Sequence, residues 1–243
     1  YNKNMRKAQS KNIVILTGAG ISVESGIRSF RDNDGFWDQY DQQAVATPNG
    51  FRKDPQRVLN FYNLARKKLV DFEPNAAHIA LAKLQQEYNG NVTIITQNVD
   101  DLHERNTGAE VIHMHGELRS GLCNSCNHRW LEEYEQTLED ECENCGKKTC
   151  RPDVVWFNEV PYHIEKIKKI MDTVDVFVAI GTSGEVYPAA GFAATAQLQK
   201  AKTIEINLNP SFNRSFSQVI KGPATETVPL WVEKMLEENK LFG

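Results

Sequence analysis

Residues 12–20 read Asn-Ile-Val-Ile-Leu-Thr-Gly-Ala-Gly, a short apolar, β-branched run that ends in glycine. Such a run is a buried strand feeding a tight turn. Similar signals recur at residues 92–96, 111–114, 176–180 and 203–207, and helical patterns lie between them at 54–72, 76–87, 164–173 and 189–201. Strands alternating with helices predict an α/β fold: a parallel sheet with helices on both faces.

Two stretches break the alternation. Residues 31–75 are helical and loop-rich, with Phe36, Trp37 and Tyr40 near their start. Residues 119–155 hold all five cysteines and an acidic run, EEYEQTLEDECE. That composition cannot build a conventional core and calls for a metal staple. At 243 residues the chain is long enough for one substantial core plus such a module.

The bulk composition excludes more than it selects. Hydrophobic content of 40% and charged content of 25% are ordinary for a globular protein, and a net charge of −4 supplies no basic field for nucleic acid. No run of 18 apolar residues is present, so no membrane span is expected. The first eleven residues, YNKNMRKAQSK, are polar and basic with no apolar signal core behind them. Cytoplasmic residence, and Met5 as a natural start, are the expectations.

In a reducing compartment, paired CxxC spacings favour metal over disulfide. Cys123-x2-Cys126, fifteen residues, then Cys142-x2-Cys145 is the spacing of a zinc ribbon. Four thiolates fill a tetrahedral shell and leave no place for water, so one structural zinc is expected. Cys150 is left over, as a small buried residue. A zinc ribbon can also bind nucleic acid, but the acidic segment between its pairs would repel phosphate.

Thr17-Gly18-Ala19-Gly20-Ile21-Ser22 follows the first strand. Glycines there let backbone approach a phosphate, and a following helix would offer unpaired N–H groups. The dehydrogenase fingerprint fits poorly, because its third glycine would fall at Val23. Two further strands end in polar sets, Thr96-Gln97-Asn98-Val99-Asp100-Asp101-Leu102-His103 and His113-Met114-His115-Gly116-Glu117-Leu118. In open α/β sheets ligands sit at such carboxyl ends. Alternation puts His113 and His115 on one face and does not choose between them; position at the strand's end beside Gly116 favours His115 as a proton acceptor.

Together the motifs GAGISVESGIRSFR (18–31), TQNVDDLH (96–103), HMHGEL (113–118), VVWFNE (154–159), GTSGEVYPAAG (181–191), NLNPS (207–211) and the four cysteines resemble the sirtuin family, from about residue 12 to 236. The form GIRSFR is similar to the bacterial branch grouped with deacylases of succinyl- and malonyl-lysine. The resemblance implies a Rossmann-like NAD-binding domain (12–34, 76–118, 156–240), a helical module with a cofactor loop (35–75) and a zinc module (119–155).

It also implies roles. Gly18, Ala19, Gly20, Ile21 and Ser22 would line the NAD diphosphate and ribose, and Phe30, Arg31 and Trp37 would close a cofactor loop. Gln97, Asn98, Val99 and Asp100 would hold the nicotinamide ribose and carboxamide. Gly181, Thr182, Ser183, Asn207, Leu208 and Asn209 would contact the adenosine half, with Ala224 near the adenine. His115 would be the general base, with Asn98 and Asp100 beside it. The acyl oxygen would attack the ribose and expel nicotinamide, leaving free lysine and O-acyl-ADP-ribose. The backbones around Phe157 and Gly184, Glu185 and Val186 would clasp an acyl-lysine peptide.

One motif departs from the succinyl-selective branch, where a tyrosine and an arginine three residues later bind the acyl carboxylate. Tyr62 is present, but the third residue on is Ala65, and arginine stands only at 66. On a helix Arg66 shares a face with Tyr62, yet one position is about 100° of rotation. A solvent-facing Arg66 is therefore the favoured expectation, with deacetylation retained and desuccinylation weakened. Ala46 matches a small residue that widens the acyl pocket. The competing readings are an NAD-dependent protein ADP-ribosyltransferase and a non-catalytic module that binds NAD or acyl-lysine. A monomer acting on acyl-lysine proteins or peptides is expected, with no membrane partner and with nucleic acid disfavoured.

Overall fold

Alternation decides how the central sheet is buried. Ile13 and Ile15 enter one apolar cluster while Val14 and Leu16 enter another, and Val176, Val178 and Ile180 divide from Phe177 and Ala179 in the same way. Both strands are thus buried on two faces, as a parallel sheet requires. The structure, a computed structural model, describes residues 11–27, 41–184 and 187–242. The expected site residues Phe30, Arg31, Trp37, Glu185 and Val186 lie outside the described residues.

The chain runs through β1 (Asn12–Thr17), two 3-10 turns (Ala19–Ile21 and Val23–Ser25), α1 (Gln42–Val45), α2 (Pro48–Lys53), α3 (Pro55–Leu69) and α4 (Ala76–Glu87). It continues with β2 (Asn91–Thr96), β3 (Val111–His113), β4 (Gly116–Cys123), β5 (Arg129–Leu131), β6 (Cys150–Val154), α5 (Ile164–Met171) and β7 (Val176–Ile180). A 3-10 turn (Ala189–Gly191) leads into α6 (Phe192–Leu198), followed by β8 (Lys202–Asn207), β9 (Gln218–Lys221) and α7 (Ala224–Phe242).

Six strands form one parallel sheet in the order β3-β2-β1-β7-β8-β9. The order turns back between β1 and β7, which opens a crevice outside their carboxyl ends. Helices α4 and α7 supply one covering layer, α5 and α6 the other. Strands β5-β4-β6 make a separate antiparallel sheet beneath the cysteines. None of the described helices is long and apolar enough to cross a membrane.

One expectation fails here. Among the described residues no α-helix follows the glycine loop directly; two 3-10 turns do, closed by Ile21 N–H to Gly18 O and Gly26 N–H to Val23 O. Two glycines resist helix propagation, and Gly26 at φ 99° ends the second turn in the left-handed region. Any phosphate there would meet the N–H groups of turns, without the dipole of a long helix.

Candidate active site

Close backbone contact builds the floor of the crevice. Gly18 N–H donates to Ile180 O (3.0 Å) and Gly20 N–H to Gly181 O (2.8 Å). A Cβ on Gly20 would stand 2.7 Å from the Gly181 Cα, which no other residue type tolerates without a backbone shift. Neighbouring strand ends are then tied together. Gln97 Nε2 donates to Thr182 Oγ1 (3.0 Å) and Asn207 Nδ2 to Thr182 O (2.9 Å). Asn209 N–H donates to Asn207 Oδ1 (3.4 Å), Leu208 is exposed, and Ala224 opens α7. Ser183 and Gly184 continue the loop after β7, with Gly184 at φ 67°.

Behind that floor Ser22 joins three side chains. Helix α4 is capped by Asn75, whose N–H donates to His78 Nδ1 (3.2 Å). His78 Nδ1 is therefore an acceptor, and its Nε2 carries the proton that faces Ser22 Oγ at 3.4 Å. Asn98 Nδ2 also donates to Ser22 Oγ (3.2 Å), and the serine hydroxyl donates onward to Asp100 Oδ2 (3.1 Å). Burial lowers the His78 pKa to about 4 and raises that of Asp100 to about 6. His103 packs edge-on to His78 and bonds Thr17 Oγ1 through Nε2 at 2.8 Å; burial holds it neutral.

Geometry separates the two rim histidines. Strand β3 stops at His113, so the expectation of one shared strand face fails: Met114 and His115 turn away before Gly116, at φ 79°, starts β4. His113 has an acceptor at each ring nitrogen, Asn98 O at 3.4 Å and Glu104 Oε1 at 3.0 Å. Burial alone would lower its pKa, but the Glu104 carboxylate outweighs that and holds it raised. His113 is thus suited to carry charge and unsuited to take up a proton. Among the described residues His115 meets one acceptor, Gln97 O, 3.0 Å from Nδ1. A carbonyl only accepts, so Nδ1 holds the proton and Nε2 keeps its lone pair. Burial lowers the His115 pKa, the Gln97 bond opposing it in part.

The four cysteines converge. Cys123 and Cys145 sulfurs lie 3.6 Å apart, as do those of Cys126 and Cys142, and all four ligand atoms fall within 4.8 Å of one another. Thiolates around tetrahedral zinc stand about 3.8 Å apart, so the set fits that ion. The knuckles are alike: Asn127 N–H donates to Cys123 O (2.9 Å) and Gly146 N–H to Cys142 O (2.7 Å). Cys150 is buried beside them, its thiol directed at Asp140 O (3.4 Å).

Residues 18–188 match the Sir2 family. The chain belongs to the Sir2 family. It is 50% identical over 230 residues to an NAD-dependent protein deacylase of Vibrio vulnificus (strain YJ016), covering 93% of this chain and 94% of that one. It is 48% identical over 231 residues to the NAD-dependent protein deacylase SIR2rp3 of Trypanosoma brucei brucei (strain 927/4 GUTat10.1), covering 92% and 94%. A crystal structure of a Sir2 homologue–NAD complex superposes with a TM-score of 0.85 at 36% identity, covering 95% of this chain and 91% of that chain.

In this sirtuin α3 packs against β4 and β6. Tyr62 and Ala65 enter an apolar cluster with Ala46, Phe61, Leu118, Val154 and Trp156. Phe157 N–H donates to Ala46 O (2.9 Å). Arg66 overturns its expectation. It is 5% exposed, not solvent-facing, and donates to Leu118 O (2.9 Å), Asn63 Oδ1 (3.0 Å) and Tyr134 O (3.0 Å). Its guanidinium is thus directed at β4 and the segment beyond β5. Reading the sequence missed His78, whose signal is its place three residues after the cap Asn75. It also missed Trp156, whose signal lay inside the VVWFNE motif.

Proposed function

We propose that this protein removes acyl groups from protein lysines at the expense of NAD, with His115 as general base. The observation that carries the proposal is the 3.0 Å contact from His115 Nδ1 to Gln97 O, which puts the proton on Nδ1 and makes Nε2 the proton-accepting nitrogen, with no hydrogen-bond partner among the described residues, at the rim of the β1/β7 crevice. The deacylase names of relatives near 50% identity support the same activity.

Gly18 to Ser22 and Gln97 to Asp100 form the walls where the diphosphate and nicotinamide ribose would lie, and Gly181 to Ser183 with Asn207 to Asn209 and Ala224 would take the adenosine half. When bound, NAD supplies a ribose whose bond to nicotinamide breaks and whose hydroxyls receive the acyl group. Asn98 and Asp100 are positioned through Ser22, and His115 draws a proton from that side of the crevice. The apolar cluster around Ala46 and Tyr62 would surround the acyl chain, and the backbone at Phe157 and Gly184 would hold the peptide. Zinc bound by Cys123, Cys126, Cys142 and Cys145 would supply folding free energy to the module that anchors α3.

The test is mass spectrometry of an acetyl-lysine peptide incubated with and without NAD. Free lysine, nicotinamide and O-acetyl-ADP-ribose should appear together, only with NAD. ADP-ribose attached to protein, with the acetyl group retained, would instead mark a transferase. A cytoplasmic monomer belongs to the same proposal, and light scattering during gel filtration checks the monomer.

A further inference from the structure

Glu24 fastens the turn after the glycines to a helix 201 positions further on. Both of its carboxylate oxygens accept from one residue: Oε2 from Thr225 N–H (3.0 Å) and Oε1 from the Thr225 hydroxyl (2.5 Å). Charge-assisted bonds of this kind are the stronger class. Thr225 is the second residue of α7, where a backbone N–H has no carbonyl four residues back within the helix. A carboxylate arriving from outside satisfies that N–H and suits the positive end of the α7 dipole.

The turn that carries Glu24 is held on its other side as well. Asn75 Nδ2, at the cap of α4, donates to Ile21 O (2.8 Å) and to Ser25 Oγ (2.9 Å). Gly26 N–H closes the turn onto Val23 O (2.9 Å). Ile21 is fully buried and enters one apolar cluster with Ala224 and Val228 of α7. Glu24 is exposed, so the core does not need its side chain as filling.

Followed round, the contacts close a ring. Gly20 N–H donates to Gly181 O (2.8 Å), Asn207 Nδ2 to Thr182 O (2.9 Å) and Gly222 N–H to Asn207 O (3.2 Å). Thr225, three residues on, donates to Glu24, which stands two residues after Ser22. Between these links lie the walls where the diphosphate and the adenosine half of NAD would rest: Gly18 to Ser22, Gly181 to Ser183, Asn207 to Asn209 and Ala224. Those walls come from separate segments of the chain, and Glu24 supplies the hydrogen bonds that join the first to the last.

We infer that Glu24 is a positioning residue for NAD, one that fixes the spacing between the glycine turn and the start of α7 before the nucleotide arrives. The inference rests on the nucleotide placement in the function proposed above and adds a residue outside the walls themselves. Without the tie the two walls move more independently, and nucleotide binding has to order them. The loss falls on the adenosine half. His115 and Gln97 lie at the ends of β3 and β2, and their mutual contact does not pass through Glu24. Nucleotide affinity therefore drops while the chemical step is kept.

The experiment is calorimetric titration of the full chain with ADP-ribose and with NAD, beside steady-state deacetylation of an acetyl-lysine peptide. ADP-ribose carries the diphosphate and adenosine without nicotinamide, so it reads the ring alone. Glu24→Ala should weaken both ligands by about fivefold, the scale of a lost helix cap. At saturating NAD, kcat and the KM for peptide should stay within about twofold. Glu24→Gln, which keeps one carbonyl acceptor, should recover part of the loss. Glu226→Ala, which removes an exposed acid from the same helix turn, should lose less than about twofold. Unchanged ADP-ribose affinity in Glu24→Ala, with or without a fall in Tm, overturns the inference. A loss in Glu226→Ala as large as that in Glu24→Ala does so too, because it would mark a general charge effect. An unaltered protein that binds ADP-ribose but removes no acetyl group would refute the deacylase reading and leave the role of Glu24 standing; one that binds neither nucleotide would refute both.

Discussion

Ser22 donates its hydroxyl proton to Asp100 Oδ2 across 3.1 Å, in a spot where both residues are buried. A carboxyl in that position faces a conflict between solvation and function. Burial raises its pKa from 3.8 to about 6, and the Leu102 N–H and Ser22 hydroxyl oppose the rise only in part. The polar cluster at the crevice is thus held together against a penalty that grows with ionisation.

That penalty sets a pH dependence. A carboxyl with a folded pKa above its unfolded value binds its proton more tightly in the fold. Its stabilising contribution is complete below about pH 4 and is lost as pH rises through about 6. Asp100→Asn should therefore gain on the unaltered protein as pH rises, by on the order of 2 kcal/mol between pH 4.5 and 7.5. Thermal melts at the two pH values check this, with a widening gap of about 5 °C expected alongside reduced deacylation. A constant gap would contradict the buried-charge origin.

Arg66 ties α3 to β4 through Leu118 O and to the segment beyond β5 through Tyr134 O. Arg66→Ala strips donors from buried carbonyls and should destabilise the protein by about 2–4 kcal/mol in a denaturant titration. A loss under about 0.5 kcal/mol is what a solvent-facing arginine would give. That result would contradict the burial.

Ala65 marks the acyl preference. An arginine there would sit three positions after Tyr62 on the same helix face and bring a cation to the apolar cluster. Ala65→Arg should raise the ratio of succinyl to acetyl turnover by about tenfold or more, at a packing cost of about 1–3 kcal/mol. Steady-state kinetics on the two peptides decides it. Equal succinyl turnover in both proteins discards the idea.

The parts legible in the sequence were those governed by local periodicity. Residues 76–87 and 176–180 carry helical and buried-strand patterns, and α4 and β7 have those bounds. The cysteine spacing likewise implied the cluster, because each knuckle is a local turn. What escaped depends on contacts far apart in the chain. The glycine loop forms 3-10 turns partly because Gly20 packs on Gly181, 161 positions away, and no local pattern reports that. Arg66 is buried because Tyr134 and Leu118 come to it, while a lone arginine on a helix reads as surface. His113 and His115 look equivalent by alternation, and only the end of β3 at His113 separates them.

Whether His115 is the proton acceptor decides the rest. The most direct measurement is the pH profile of kcat/KM for an acetyl-lysine peptide, run beside His115→Ala. Because burial lowers the His115 pKa, the acid limb should have its midpoint below 6.5, with activity held through neutral pH. His115→Ala should lose about 100-fold or more and show no such limb, while melting within a few degrees of the unaltered protein. An alanine variant that keeps its turnover, or retains the same acid limb, would contradict His115 as the base.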